Sequence, residues 1–580
     1  MPLRFARVLP GLLMAVTFMV VRADPARSPA VAADATYEAV VTAVLQDYYR
    51  RNPTAATDLG LHEFDGRLED YSSAAIAAAT EAMTRLRDRL RAVPPGGLTP
   101  NQRLDREFLL GTLDGQILRN ESVRAWERDP DLYSSGITNA AYSLIKREYA
   151  SAGERLGSLI EREKQMPATL AAARRNLVNP PRIYTEIALE QLDGNLEFFR
   201  TAVVDAFAGV RNAALQAEFR RSNDAVVAAL ADYRQWLQDD LLPRSNGSFA
   251  LGPDLFRQLL LADEMIDVPL DRLLALAEAD LRRNQAAFEA TARRIDPARN
   301  PREVLESLQR DHPAPAQLLD STQAELDALA RFMTDRRIVT IPEAAPARVK
   351  ETPPFMRATT SAALDTPGPF ETARLAGYYL MTLPDPAWSD AETEDFMRQW
   401  FYPLITNTSV HEVWPGHYLQ FLYSSQYPSD VRKVFYSNSN AEGWAHYCEQ
   451  MVVDEGFHAD DPRYRLAQLQ DALLRNARFV VGIRMHTQGM SFEQAQAYFE
   501  QEGYQPAPVA LSEARRGTSD ATYGYYTLGK LAILKLRDDY RAKLGASYSL
   551  QQFHDALMRL GPLPLPLVRE AMLGERGSLF

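Results

Sequence analysis

Cysteine is almost absent from this chain of 580 residues, which has Cys448 as its only thiol. One cysteine cannot form a disulfide within a chain, and none stands near the N-terminus to carry a lipid at a cleavage site. Long apolar runs are also missing beyond residue 23, so no later segment is expected to cross a bilayer. Since 46% of the residues are hydrophobic, a large packed core is expected to stabilise the protein.

The first 23 residues have a composition of their own. Two arginines precede an apolar run over residues 8–21, and the segment 21–23 ends in a small residue suited to signal cleavage. We therefore predict a secretory signal over 1–23, a periplasmic or secreted protein, and no stable membrane insertion after cleavage. An uncleaved membrane anchor is the alternative, although Pro10 and Gly11 interrupt the run.

Basic residues are outnumbered by acids, which gives a formal charge of −12. Removal of residues 1–23 takes away three arginines and no acid, so the charge becomes −15. Nucleic-acid binding needs a basic face that neutralises phosphates. The composition therefore argues against a nucleic acid as the partner.

The hydrophobic pattern predicts a mainly α-helical protein. From Thr36 to about Arg336, apolar residues recur at intervals of three and four. Residues 341–370 are rich in proline, and helical patterns return from Phe396 onward. We predict two helical lobes around a cleft, with an N-terminal lobe over 24–340, a catalytic lobe over 341–580 and a minor β element.

The β element is predicted over residues 377–383, where aromatic and β-favouring residues follow the proline-rich segment. We expect a short strand there. One hypothesis makes it an edge strand that pairs with the extended backbone of a substrate. A plain packing strand is the alternative.

Two short passages have the side chains of a zinc hydrolase. The first is HEVWPGH over 411–417, and the second is NAEGWAH over 440–446 on a predicted helix. Two histidines and two glutamates are enough to bind zinc through three side chains and to move protons with a fourth. A chance match of polar residues is the alternative, and the presence of the second passage argues against it.

The spacing of the two histidines requires a bend in the chain. His411 and His417 are six residues apart, so on a straight helix they would point about 240° away from each other. Pro415 has no amide hydrogen, and Gly416 tolerates unusual dihedral angles. We predict a kinked helix, with a bulge at this pair that returns His417 to the metal.

The passages HEVWPGHYLQ and EGWAHYCEQ resemble the signature of the domain-of-unknown-function 885 family, whose members are similar to gluzincin-type zinc metallopeptidases. The resemblance covers nearly the whole chain after the predicted signal. It implies one zinc ion bound by His411, His417 and Glu442, with Glu412 as the catalytic acid and base. The chain departs from the family pattern at Gly482, where the family usually has an aspartate.

Other polar residues are candidates for supporting roles. His486 and Tyr526 are predicted to donate hydrogen bonds to the oxygen on which charge develops, although an aromatic run such as 523–526 more often belongs to a core. His446 and Glu449 follow Glu442 on the same helix face, so they are either outer partners or rival ligands. Arg515 and Arg516 either bind a substrate carboxylate or are solvated surface residues.

Three functions are compatible with these residues. The leading hypothesis is a zinc metallopeptidase that cleaves short peptides through a zinc-activated water and a glutamate base. The second keeps the metal but hydrolyses a non-peptide amide or ester, because the site would polarise any acyl group. The third is a helical binding or scaffold protein with a degenerate site, an interpretation that the glycine at 482 supports.

Overall fold

A computed structural model describes residues 29–342, 347–353, 357, 361–373 and 376–580. The predicted signal over 1–23 lies outside these residues. The part of the chain before the sheet consists of helices, which are α1 (Pro29–Arg51), α2 (Pro53–Asp58), α3 (Ser73–Ala92), α4 (Pro100–Leu118), α5 (Ala125–Arg128), α6 (Asp131–Ile145), α7 (Ala152–Glu163), α8 (Met166–Asn176), α9 (Arg182–Arg200), α10 (Ala202–Phe207), α11 (Ala213–Trp236), α12 (Leu242–Arg244), α13 (Pro253–Glu264), α14 (Leu270–Ile295), α15 (Pro301–Leu308) and α16 (Leu318–Asp335).

Helices also form the part that follows the sheet, and they include both motif passages. They are α17 (Asp390–Met397), α18 (Tyr402–Glu412), α19 (His417–Ser424), α20 (Asp430–Val434), α21 (Asn438–Asp454), α22 (Pro462–Thr487), α23 (Phe492–Gln501), α24 (Ala507–Ser519), α25 (Tyr525–Leu544), α26 (Leu550–Leu560) and α27 (Leu565–Leu573). The prediction of a mainly helical protein with a minor β element is confirmed. Among the described residues, no helix is both long enough and apolar enough to span a membrane.

Capping residues explain where several of these helices begin. At α4 the side chain of Thr99 accepts the backbone N–H of Gln102, whose own side chain accepts the backbone N–H of Thr99. The same reciprocal arrangement joins Ser151 to Glu154 at α7. Such pairs satisfy amide groups that would otherwise lack partners in the first turn.

Three short strands form one sheet, β1 (Arg348–Glu351), β2 (Ala362–Asp365) and β3 (Tyr378–Met381), in the order β1-β3-β2. The strand predicted within 377–383 is therefore present as β3. It pairs in parallel with β1 and antiparallel with β2, so it is the central strand. The edge-strand hypothesis is wrong, because both hydrogen-bonding sides of β3 already have partners and cannot pair with a substrate.

The hydrophobic residues pack into several cores. The largest core contains residues of α1, α3 and α4 near the N-terminus. These residues pack against α16, the sheet, and the later helices α18, α19, α21 and α25–α27. A separate core is enclosed by helices α6–α11. The boundary placed at residue 340 does not coincide with a break between cores, since the largest core contains residues from both sides of it.

Candidate metal centre

Three helices bring the motif residues together. His411 lies in the last turn of α18, His417 is the first residue of α19, and Glu442 lies near the start of α21. Donor atoms of these three side chains all lie within 4.8 Å of one another. No other group of at least three histidine, cysteine or acidic side chains in the described part of the chain has its donor atoms this close together.

The connection between the histidines differs from the predicted kink. Helix α18 ends at Glu412 and a new helix begins at His417, with a cis peptide bond between Trp414 and Pro415. A Cβ atom on Gly416 would lie only 1.7 Å from the carbonyl oxygen of His411, so only glycine fits there. The predicted bulge within one helix is therefore wrong, because the chain turns between two helices. This turn brings the ring of His417 to 4.9 Å from that of His411, centroid to centroid.

A hydrogen bond ties this turn to the helix that carries Glu442. The indole Nε1–H of Trp444 donates to the carbonyl oxygen of Pro415 over 2.8 Å, and Trp444 is fully buried. Because Trp444 follows Glu442 by two residues, the contact fixes α21 relative to both histidines.

One oxygen of Glu442 lies between the two imidazoles. Its Oε2 atom is 3.4 Å from Nε2 of His411 and 3.3 Å from Nε2 of His417. This buried oxygen makes no hydrogen bond of acceptable geometry in the described structure. Ligands at about 2.0–2.1 Å from a tetrahedral zinc ion are about 3.3 Å from each other. The two distances to Glu442 match that spacing, and the donor atoms of the two histidines lie within 4.8 Å of each other, so the residues are compatible with a zinc ion.

The other ring nitrogens contact acceptors outside the three-residue set. Nδ1 of His411 lies 2.6 Å from Oε1 of Glu449, and Nδ1 of His417 lies 3.0 Å from Oε1 of Gln420. A proton on each Nδ1 satisfies both contacts, so each Nε2 would be free to give its lone pair to a metal ion bound beside Glu442. Outer acceptors of this kind orient histidine ligands and increase their basicity.

Glu449 is a fully buried carboxylate with several partners. Besides His411, its oxygens lie 3.1 Å from Nδ1 of His446 and 3.0 Å from a guanidinium nitrogen of Arg475. Burial alone would raise its pKa, but Arg475 and the histidines hold the pKa of Glu449 well below its usual value. Glu449 and His446 are thus outer partners of the centre, and Glu442 is the carboxylate that reaches both Nε2 atoms.

Charges within the centre are strongly coupled. Burial lowers the pKa of His411, but its contacts with Glu442 and Glu449 outweigh that effect and raise it to about 9. Burial would raise the pKa of Glu442, but His417 and His411 hold it well below its usual value. In the metal-free protein the carboxylate of Glu442 therefore stays ionised and holds both imidazoles near it.

Tyr526 reaches the centre from helix α25, which packs closely on α21. A Cβ on Gly443 would lie 2.5 Å from Cα of Gly529, so two glycines allow this approach. The ring centroid of Tyr526 is 6.3 Å from that of His411, and its hydroxyl lies 3.5 Å from a guanidinium nitrogen of Arg516. This predicted donor therefore lies beside the cluster.

Glu412 is the last residue of α18 and is partly exposed. Its carboxylate makes no hydrogen bond or ion pair with another residue that the structure describes. Tyr379 lies nearby on the central strand β3. Burial is the main cause that raises the pKa of the Tyr379 phenol, and the charge of Glu412 is the second. A carboxylate that directly follows His411 and has no partner among the described residues is suited to accept a proton.

His486 is not brought to the cluster. Its Nε2–H donates to the carbonyl oxygen of Gly517 over 2.7 Å, and the ring packs against Phe249. Its predicted role as an oxyanion donor is therefore not supported by its position. The glycine at 482 has a packing reason, since a Cβ there would lie 2.9 Å from the carbonyl oxygen of Ala521. An aspartate would not fit without a shift of the backbone.

One arginine that sequence reasoning did not select, Arg475, lies 3.4 Å from Nδ1 of His411 through a guanidinium nitrogen. Arg515 pairs with Glu190 at the surface, and Arg516 pairs mainly with Asp520. Arg475 and Arg478 are buried, and their guanidinium carbons lie 5.7 Å and 5.0 Å from the ring centroid of Tyr526. Both are on α22, where the sequence pattern gave no sign that they face the motif helices.

Comparison with known proteins connects the chain to a family. The model of a family described as "Bacterial protein of unknown function (DUF885)" matches residues 53–572. The chain belongs to this family. No curated protein matches it.

Two solved structures share this fold. One is described as "a putative lipoprotein of unknown function from Shewanella oneidensis", with 25% identity, a TM-score of 0.79, and coverage of 93% of this chain and 99% of the other. The second is described as "the putative lipoprotein from Colwellia psychrerythraea", with 17% identity, a TM-score of 0.79, and coverage of 94% and 99%. At these identities the second likeness concerns the fold alone.

Proposed function

We propose that this member of the DUF885 family is a zinc-dependent hydrolase that cleaves peptide bonds in short peptides. The observation that carries the proposal is the position of Glu442 Oε2, 3.4 Å and 3.3 Å from the Nε2 atoms of His411 and His417. A structural zinc site normally has four protein ligands, whereas three leave a position for water.

A zinc ion held by His411, His417 and Glu442 would supply Lewis acidity that makes water acidic enough to attack an acyl carbon near neutral pH. Glu412 accepts the proton of the attacking water and then donates it to the leaving amine. Its partial exposure and lack of a partner leave it available for both transfers. Glu449 holds the Nδ1 proton of His411 and so keeps the ligand ring in one orientation.

Tyr526 is the candidate for stabilising the negative charge that develops on the substrate oxygen. Burial, and next the charge of Glu442, raise the pKa of its phenol, so it keeps its proton at neutral pH and can donate a hydrogen bond. The guanidinium of Arg516 beside the hydroxyl adds positive charge on the same side.

Hydrolysis of a non-peptide amide or ester uses the same groups, and a panel of substrates separates that activity from peptide cleavage. The scaffold hypothesis took its support from the glycine at 482. The close approach of Ala521 accounts for that glycine without any reference to the metal centre.

We also propose that the protein acts outside the cytoplasm, in the periplasm or after secretion. The predicted signal over 1–23 and the likeness to a solved protein described as a putative lipoprotein support this location. Fractionation of cells that express the full chain tests it. Recovery in the cytoplasmic fraction with residues 1–23 still attached would contradict it.

Metal removal and a single isosteric substitution test the catalytic proposal. Chelation is expected to abolish hydrolysis of a short-peptide library, and added zinc is expected to restore it. Glu412→Gln is expected to keep bound zinc and to lose at least about two orders of magnitude in turnover, since proton transfer contributes that much. Hydrolysis that is unaffected by chelators, or an unchanged rate in Glu412→Gln, would contradict the proposal.

A further inference from the structure

A cavity of about 310 Å³ is lined in part by residues of α21 and α25, the helices that carry Glu442 and Tyr526. Asn438 forms part of its lining and stands four residues before Glu442 on α21, so the two side chains share one helix face, about 6 Å apart. Tyr525 also lines the cavity and packs on Tyr526, with ring centroids 5.1 Å apart. The cavity thus begins about one helical turn from the ligand Glu442.

The acidic side chains that line this cavity are already engaged. Asp263 pairs with Arg119, and Asp520 pairs with Arg516. Asp129 accepts a backbone N–H, and burial raises its pKa to about 6, which brings it closer to its neutral form. None of these acids is paired with the one remaining arginine of the lining.

That arginine is Arg128, whose hydrogen bonds go to the backbone carbonyl oxygens of Val123 and Ser248. Within the described ranges no carboxylate pairs with it. A guanidinium has five N–H donors and matches the geometry of a carboxylate. An arginine that lines a cavity without an acidic partner therefore has donors and charge available for an anionic ligand.

We propose that Arg128 binds the C-terminal carboxylate of the substrate, so that the preferred substrates are short peptides with a free C-terminus. The inference rests on the proposed function. Phe249, Leu251 and Leu259 also line the cavity and suit an apolar side chain on the last residue.

Equilibrium binding tests this inference without requiring turnover. The probes are Ala-Ala-Leu with a free carboxylate and the same peptide with a C-terminal amide, titrated by calorimetry into the zinc-loaded Glu412→Gln protein. The free acid is expected to bind about 10- to 100-fold more tightly than the amide, as for a hydrogen bond to a charged group. Adding Arg128→Gln is expected to reduce this ratio to about one, whereas Arg128→Lys keeps part of it.

The outcomes separate this inference from the proposed function. An acid-to-amide ratio that Arg128→Gln does not change, or no binding of either peptide, would overturn the role of Arg128. A ratio that depends on Arg128, together with a wild-type protein that hydrolyses no peptide, would keep the carboxylate site and reject the peptidase. Thermal melting of each variant, with Arg128→Lys as the charge-conserving control, excludes loss of folding as the cause.

Discussion

Two of the places where histidine and carboxylate side chains meet, the His411/His417/Glu442 cluster and the surroundings of His62, have opposite consequences for a metal ion. At His411, His417 and Glu442, each Nδ1 contacts an acceptor outside the set, and both Nε2 atoms face one carboxylate oxygen. At His62, the single imidazole lies between two carboxylates, Asp65 and Glu371. Both regions have similar residue types, but they differ in whether ring nitrogens remain available to bind a metal ion.

Both ring nitrogens of His62 are occupied. Nδ1 lies 3.2 Å from Oδ2 of Asp65, Nε2 lies 3.0 Å from Oε2 of Glu371, and the ring stacks on Tyr149 at 3.7 Å. Burial lowers the pKa of His62, but the hydrogen bonds to Asp65 and Glu371 outweigh it and raise the pKa overall. The contact with Glu371 links residues that are 309 positions apart in the chain. In a metal centre, nitrogen atoms of two histidines face one common position. At His62 a single ring lies between two carboxylates, an arrangement that we call the ionic link.

Removing one imidazole from each region is expected to give the largest difference in bound zinc between two variants. His417→Ala should lose bound zinc, because two protein ligands remain, and the loss of affinity should exceed the about 10- to 100-fold that an outer partner contributes. His62→Ala should keep one zinc ion per chain. Metal analysis by mass spectrometry after dialysis measures both. Equimolar zinc in His417→Ala would remove the basis of the comparison.

The tyrosines that pack on the two regions form a matched pair. Tyr526→Phe is expected to reduce turnover by about one to two orders of magnitude, because we propose that its hydroxyl, on a ring stacked 6.3 Å from that of His411, stabilises the developing charge. Tyr149→Phe is the control, since its hydroxyl donates to Asp65 over 2.6 Å and stands at the ionic link. Peptide hydrolysis at saturating substrate, with zinc content checked, measures the effect. Equal rates in both variants would exclude Tyr526 from the mechanism.

The carboxylates that hold the imidazoles are expected to have a smaller effect. Glu449→Gln keeps the shape of the side chain but removes the charge that accepts the Nδ1 proton of His411. Zinc affinity, measured by competition with a chelator, should fall by about tenfold. Asp65→Asn at His62 should leave the affinity unchanged. A similar change in both variants would indicate a general loss of stability.

Sequence reasoning reached the three donors but not the way in which the chain brings them together. Residue types indicated a zinc site, and the family resemblance implied His411, His417 and Glu442 as its ligands. Helical periodicity was enough to predict a mainly helical protein. The path from His411 to His417 depends on the close approach of Gly416 to the carbonyl oxygen of His411. The prediction of a single kinked helix did not include this contact.

Residues from distant segments were the least predictable. Arg475 reaches Glu449 because α22 packs against α18 and α21, and no local pattern indicates that contact. The position of β3 depends on β1, which pairs with it from a segment about 30 residues earlier. His486 is on α22, which packs against α25 and so against the helix of Tyr526, but its ring donates to the carbonyl oxygen of Gly517. Tertiary packing decides each of these outcomes.

The smallest expected effect is a pH-dependent loss of stability in His62→Gln. Because the folded-state pKa of His62 is raised, the folded protein binds the proton more tightly than the unfolded chain. The stabilisation is therefore fully present below the unfolded pKa of about 6.5 and is lost as the pH rises through the higher folded value. The difference in unfolding free energy between wild type and variant should be about 1 kcal/mol near pH 6.

Denaturant unfolding of the zinc-saturated proteins at pH 6 and pH 9 measures this difference. Titration of the metal centre is common to wild type and variant, so it cancels in the subtraction. The variant Asp65→Asn and the double variant complete a cycle that isolates the coupling of His62 to Asp65. A wild-type-minus-variant difference that is the same at both pH values would mean that His62 contributes through packing on Tyr149, and that the ionic link is not charged in the folded protein.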